Sequence, residues 1–339
     1  MHNGAAAESD ILQQSDLSTK GLDFMPEKRP VILDGDPGHD DAIAWMLAGS
    51  SPLLDIRAVT SVCGNQTIEK TTYNTLRICT LLGLQCPIGK GRPTPLFSAP
   101  IIAPTVHGNT GLDGPVLPEP AMEPSELRAV ELMAKILRES DRPVCLVPTG
   151  PLTNIAALLL AYPELKPKID CISLMGGGIA YGNWTCAAEF NILVDPEAAD
   201  IVFRSGVPIY MAGLDVTEKA LIFPEDFNRI RAVGNHVACV VADWLEFFYG
   251  FHRSLGYPGA PVHDAVAVTA LLRPDLLEMQ EMYVQIETKG EYCRGATVGD
   301  RFGVTGHQPN AHVITGIDRQ GFADLLVEAV RAYDKEGAR

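Results

Sequence analysis

Four aspartates, Asp34, Asp36, Asp40 and Asp41, fall within eight residues directly behind the apolar run Val31 to Leu33. The apolar run reads as a short buried strand, and Ala42 to Leu47 resumes apolar spacing like a helix, so the acids lie on a strand-to-helix turn. Asp is a common turn and N-cap residue, and a single one after a strand carries no chemistry. Here four carboxylates exceed what capping needs, and Pro37-Gly38 stiffens a turn that could otherwise spread to relieve the repulsion. Such a cluster calls for a cation, and a hard divalent ion that takes oxygen ligands suits it. The chain must therefore fold so that this turn meets whatever completes the site.

The same theme recurs along the sequence. Leu54 to Val62 is a β-branched run ending in Cys63-Gly64-Asn65, followed by a helical pattern from Thr67 to Leu82. Pro143 to Val147 leads into Pro148-Thr149-Gly150-Pro151 and a helix from Leu152 to Ala161, and Ile169 to Met175 ends in three glycines. Asp195 reads as an N-cap with Pro196 at the first helical position, and Val207 to Met211 is a further strand ending at Gly213-Leu214-Asp215. Strands alternating with helices imply a mostly parallel sheet covered on both faces, an α/β, Rossmann-like open sheet. Ligands of such sheets bind outside the carboxyl ends of the strands, so the polar turns should converge on one crevice.

Between these units, residues 93–124 form a segment rich in Pro and Gly that carries His107-Gly108-Asn109-Thr110-Gly111. At about 30 residues it is longer than ordinary connections, and loops of that length are functional or disordered. Ser125 opens a helix-like stretch to Ser140, without the Glu at the right spacing for a capping box. The last third reads as more helical: Val237 to Phe251 is amphipathic, and His263-Asp264 stands directly before the apolar helix Ala265 to Leu272. With no internal repeat or linker after Pro30, the expectation is one large domain over residues 30–339, behind a polar, flexible extension over residues 1–29 that lacks the features of a targeting segment.

Charge excludes some partners. Lys and Arg number 27 against 42 Asp and Glu, a formal charge of −15, with no basic block; this argues against nucleic acid and anionic membranes. The most apolar stretch, Val237 to Phe251, is broken by Asp243 and Glu246 and is shorter than the roughly 20 residues that span a bilayer. Eight scattered cysteines without a CxxC pair read as buried, reduced thiols of a cytoplasmic protein.

Taken together, these motifs resemble the nucleoside hydrolases, the inosine-uridine-preferring family that cleaves the N-glycosidic bond of ribonucleosides. Asp34 through Ala42 looks like the family's N-terminal signature, Leu174-Met175-Gly176-Gly177 like its second marker, and Asn183, Glu189-Phe190-Asn191 and His263-Asp264 fall where the family places site residues. The similarity spans about residues 30 to 335. It implies that Asp36, Asp41, the carbonyl of Thr149 and the carboxylate of Asp264 bind Ca²⁺, an ion that takes six to eight oxygens. It also implies that Asp36 is the general base on a water, and that Asp40, Asn65, Asn183, Glu189 and Asn191 hold the ribose. Met175 suits the sugar face or plain core, Phe190 reads as core, and Asp34 as a supporting acid.

Hydrolysis would pass through a ribosyl cation-like transition state, and the departing base must be offset by an acid. Histidine titrates near working pH, which makes His263 the candidate acid. His107 is a second contact to the base, beside a structural role for a loop tip, and His39 reads as electrostatic or packing rather than catalytic. Histidine at 263, with no tryptophan beside His107, points to the pyrimidine-preferring or non-specific branch, and Tyr249, His252, Arg253 and Tyr257 are candidates for lining the base pocket. The loop carries Asn109 where many relatives carry Glu. Relatives are usually tetramers or dimers, so a homo-oligomer is expected. Two rival readings are a haloacid-dehalogenase-like phosphatase, for which Pro37-Gly38-His39 does not fit behind the Asp-x-Asp pair, and a non-catalytic nucleoside-binding protein, which would not need every carboxylate and His263 retained.

Overall fold

The computed structural model describes residues 27–334. The extension expected over residues 1–29 therefore lies, up to residue 26, outside the described residues. The chain opens with β1 (Arg29–Gly35), α1 (His39–Ser50), β2 (Leu54–Ser61), α2 (Ile68–Leu82) and β3 (Ile88–Lys90). Next come the short α3 (Pro104–His107), α4 (Ala129–Glu139), β4 (Val144–Pro148), α5 (Thr153–Ala161) and β5 (Ile169–Met175). Then follow α6 (Phe190–Val194), α7 (Pro196–Phe203), β6 (Ile209–Ala212), α8 (Leu214–Thr217), β7 (Leu221–Ile222), α9 (Pro224–Arg231) and α10 (His236–Ser254). The chain finishes with β8 (Ala260–Pro261), α11 (Ala265–Leu272), β9 (Leu277–Ile286), β10 (Thr297–Asp300), β11 (Ala311–Ile317) and α12 (Arg319–Arg331).

Nine strands make one sheet in the order β10-β9-β11-β6-β5-β4-β1-β2-β3. From β11 to β3 every neighbour is parallel, as the alternation of strands and helices requires. Because side chains alternate across a strand, the sheet splits the core in two. Val31, Leu33, Val147 and Met175 point toward α1, α2 and α10 to α12, whereas Ile32, Leu146 and Leu174 point toward α4, α5 and α7. The order reverses direction at β1, whose neighbours are β2 and β4, and that switch point is where a crevice opens at the carboxyl ends of parallel strands. The acidic turn leaves β1 on one side of it and Thr149 leaves β4 on the other.

Several local expectations need correction. The helix expected from Ser125 begins at Ala129; Ser125 instead donates its backbone N–H to Ile88 and accepts one from Leu127 through its hydroxyl. Residues 93–124 are not structureless, since Pro104 starts the one-turn α3 that delivers His107. The last third contains the expected helices and also β9 to β11, an extension of the sheet in which β9 runs antiparallel to both β10 and β11. The cysteines are free, but not all buried: Cys186 and Cys293 are exposed. Among the described residues no helix is long and apolar enough to cross a membrane.

Candidate active site

Each carboxylate of the acidic turn has a different set of partners. Asp34, next to last in β1, has its Oδ1 accepting from Thr60 Oγ1 (2.6 Å) and Asn154 Nδ2 (2.8 Å), which ties β1 to β2 and α5 as a supporting acid should. Asp41, in the first turn of α1, accepts the Gly38 N–H (2.9 Å) and the Thr149 hydroxyl (2.6 Å). Its position at the positive end of the helix dipole favours the ionised form. Asp36 accepts the Asn65 N–H at 2.6 Å through Oδ2. Close backbone approach is built in here, because a Cβ on either Gly64 or Gly150 would collide with the Asp36 carboxylate.

What remains is charge without partners. Asp34 Oδ2, Asp36 Oδ1 and Asp40 Oδ1 are buried with no hydrogen-bond partner. Carboxylate oxygens of Asp40, Asp41 and Asp264 lie within 4.8 Å of one another. Burial first, and then the neighbouring aspartates, push Asp36, Asp40 and Asp264 well above the usual carboxylate range. Burial pushes Asp41 up to about 6 and Asp34 to about 7. Buried, mutually repelling oxygen donors of this kind fit a hard divalent cation: its charge offsets the repulsion and its ligand preference matches the unpartnered oxygens.

Above the acids lies a cleft of about 210 Å³. The sequence-derived residues Asp40, Asn65, His107, Thr149, Met175, Asn183, Glu189, Asn191, His263 and Asp264 all line it, although they come from turns spread over more than half the chain. Asp36 and Asp41 lie beneath, fully buried, and reach the lining through Asn65 and Thr149. On the polar side, Asn191 Nδ2 donates to the Thr149 carbonyl (2.9 Å) and to Met175 O (3.2 Å). Glu189 caps α6, accepting backbone N–H groups of Asn191, Ile192 and Gly177, and burial pushes its carboxyl up to about 7. Asn183 Oδ1 accepts the Phe190 N–H at 3.0 Å. Phe190, expected as core, is buried but also faces the cleft and packs on Trp184.

The opposite side is aromatic. His107 stacks on Phe248 with ring centroids 5.4 Å apart, and its Nδ1 lies 3.2 Å from His39 Nδ1. His39 is itself stacked between His107 and Phe247, which gives it the packing alternative of its expected electrostatic or packing role. His263 Nδ1 is 2.8 Å from Thr217 Oγ1, a hydroxyl able to donate or accept and so to orient the ring in either tautomer. Contrary to the expectation that His263 titrates near working pH, burial and then the neighbouring His252 push it down to about 3. It stands neutral, offering a hydrogen bond rather than a stored proton.

Of the residues expected to line the base pocket, His252 and Tyr257 line the cleft, but Tyr249 and Arg253 do not; Tyr249 packs edge-on against Phe227 instead. Sequence reasoning missed Phe248, Phe251, Leu255, Trp184 and Glu218 in the lining, and Thr217 behind His263. One signal was available: positions 248, 251, 252 and 255 follow the i, i+3, i+4, i+7 spacing of a single helix face.

A family model described as inosine-uridine preferring nucleoside hydrolase matches residues 31–324. The pyrimidine-specific ribonucleoside hydrolase RihA of Escherichia coli is 54% identical over 307 residues, covering 90% of this chain and 99% of that protein. Among solved structures, a purine-preferring ribonucleoside hydrolase from Gardnerella vaginalis matches with a TM-score of 0.84 at 30% identity, over 89% of this chain and 98% of its own. An inosine-guanosine nucleoside hydrolase gives a TM-score of 0.82 at 30% identity over 89% and 98% of the two chains. With the acidic switch-point turn and its cleft, these matches place the chain in the inosine-uridine preferring nucleoside hydrolase family, metal-dependent enzymes that hydrolyse the N-glycosidic bond of ribonucleosides.

Proposed function

We propose that the protein hydrolyses pyrimidine ribonucleosides, uridine and cytidine, to free base and ribose, with Ca²⁺ held by Asp36, Asp41, the Thr149 carbonyl and Asp264. The observation that carries the reading is the meeting of buried, unpartnered carboxylate oxygens with a cleft that is polar on one side and aromatic on the other. A bound cation supplies positive charge that lets the carboxylates ionise side by side and makes a neighbouring water more acidic. Asp36 then takes the proton of the attacking water as its oxygen bonds to C1′ of the ribose. Asp40, Asn65, Asn183, Glu189 and Asn191 orient the sugar hydroxyls, for which carboxylates and amides are suitable partners, with Met175 against the ring. The C1′–N bond breaks, its electrons leave with the base, and the N–H of neutral His263 offsets the charge that develops there. His107 is the second contact to the base.

Preference for pyrimidines is supported by the 54% identity to a pyrimidine-specific relative. A kinetic panel over uridine, cytidine, inosine, adenosine and guanosine tests it: kcat/KM highest for uridine and cytidine is expected, and a purine in first place overturns it. A homo-oligomer of two or four copies in the cytoplasm completes the proposal. Phe302 and Val304, both 84% exposed beside β10, supply apolar surface for such an assembly, and sedimentation of the pure protein as a monomer would contradict it.

A further inference from the structure

Within the five residues from Gly213 to Thr217 and the Glu218 that follows, three side chains tie down segments next to the cleft. Asp215 accepts the backbone N–H groups of Ile179 (2.7 Å) and Ala180 (3.2 Å), and Thr217 meets His263. Glu218 accepts two phenols at once: Tyr257 OH on Oε1 and Tyr181 OH on Oε2, each at 2.8 Å. Burial, and then the Glu218 carboxylate, push Tyr257 up to about 12 and Tyr181 above the ordinary phenol range, so both hydroxyls stay protonated and donate. Tyr257 lines the cleft edge-on to His252, with ring centroids 5.5 Å apart. Tyr181 does not line it, but belongs to the loop that carries Asn183 and Trp184 into it. The two loops come from opposite directions, one from β5 and one from α10, and meet at a single carboxylate.

The geometry points to Glu218 as a positioning residue that joins residues 178–188, which carry Asn183, to residues 255–259, which carry Tyr257, and thereby sets how firmly the nucleoside is held. This rests on reading the cleft as a nucleoside site. Since Glu218 itself lines the cleft, its removal alone could act by losing a direct contact; Tyr181, outside the lining, separates the two cases. The proposal is tested by kcat and KM for uridine in the wild type, Glu218→Ala, Tyr181→Phe and the double variant. Loss of both phenol contacts raises KM about tenfold in Glu218→Ala, and loss of one raises it about threefold in Tyr181→Phe, with kcat held within about twofold. The double variant matches Glu218→Ala, because Tyr181→Phe has nothing left to lose. Glu218→Gln, which keeps an acceptor oxygen, falls between the wild type and Glu218→Ala. A silent Tyr181→Phe, or one whose full effect persists in the Glu218→Ala background, overturns the proposal. Amide hydrogen exchange provides an arm independent of turnover: Glu218→Ala speeds exchange in both loops together, and a change in one loop or neither contradicts the clamp. A wild type that cleaves no nucleoside sinks the functional reading, while exchange still decides the clamp.

Discussion

The two ends of the cleft are built on opposite principles. At the acid end, side chains come from the turn after β1 and its neighbours, and hydrogen bonds within the protein fix Asp34 and Asp41 before any ligand arrives. At the base end, rings from α10 and the loop carrying His107 stack on one another, and the polar ties mostly orient rings: His263 to Thr217, His107 to His39, His39 to the Asp113 carbonyl, His252 to the Phe248 carbonyl, and the two phenols on Glu218. Electrostatics at the first end cannot tolerate displacement, since an unpaired buried charge is costly. Stacked rings at the second end can shift at modest cost and accept different bases. The contrast teaches where activity and selectivity reside: the acid end should be all-or-none, and the base end graded.

That contrast is sharpened most by removing one proposed cation ligand. Asp264→Ala is expected to lose more than about 100-fold in kcat/KM at fixed calcium, because even outer partners of metal ligands are worth about 10–100-fold. Partial recovery at higher calcium would support the loss being one of cation affinity. At the base end, His263→Ala should lower turnover of uridine by about 100-fold, the lower range for losing one positioned hydrogen-bond donor to developing charge, while sparing p-nitrophenyl riboside to within about threefold. The nitrophenolate leaves without help; equal losses on both substrates would remove His263 from the leaving-group role.

A smaller effect concerns pH and stability. Asp34, at about 7, and Asp41, at about 6, have raised folded-state values, so between their ordinary 3.8 and those values the folded chain binds more protons than the unfolded one. Stability from these groups is therefore present at low pH and lost as pH rises toward 7. Buried His39 and His252, both pushed down to about 4, act in the opposite sense, costing stability as pH falls below 6.5. Comparing protein with and without calcium cancels the histidine contribution. The rise in Tm on adding calcium is expected to be larger at pH 8 than at pH 5.5, where protons compete for the carboxylates; a rise independent of pH would contradict it.

The same contrast explains what could be read from the sequence. The acidic turn was legible because its charges are neighbours in the chain, so a repulsion that needs a cation is visible without a fold. Thr149 and Asp264 carry no such local mark, and only the resemblance to a family singled them out. Phe248, Phe251, His252 and Leu255 sit at the spacing of a buried helix face, and nothing in that spacing says whether the face meets core or cleft. Glu218 follows a helix of one turn, too short to leave a periodic signal. In β9, buried Met282, Val284 and Ile286 alternate as a strand should, but helix-favouring Leu, Glu, Met and Gln fill its first half and mask the alternation.

The central claim is that Asp36 activates water within the buried acid cluster. The measurement that tests it most directly is release of reducing sugar from uridine by Asp36→Ala, with circular dichroism establishing that the fold is intact. The account predicts no turnover above background beside an active wild type. Turnover at the wild-type rate from folded Asp36→Ala would contradict it.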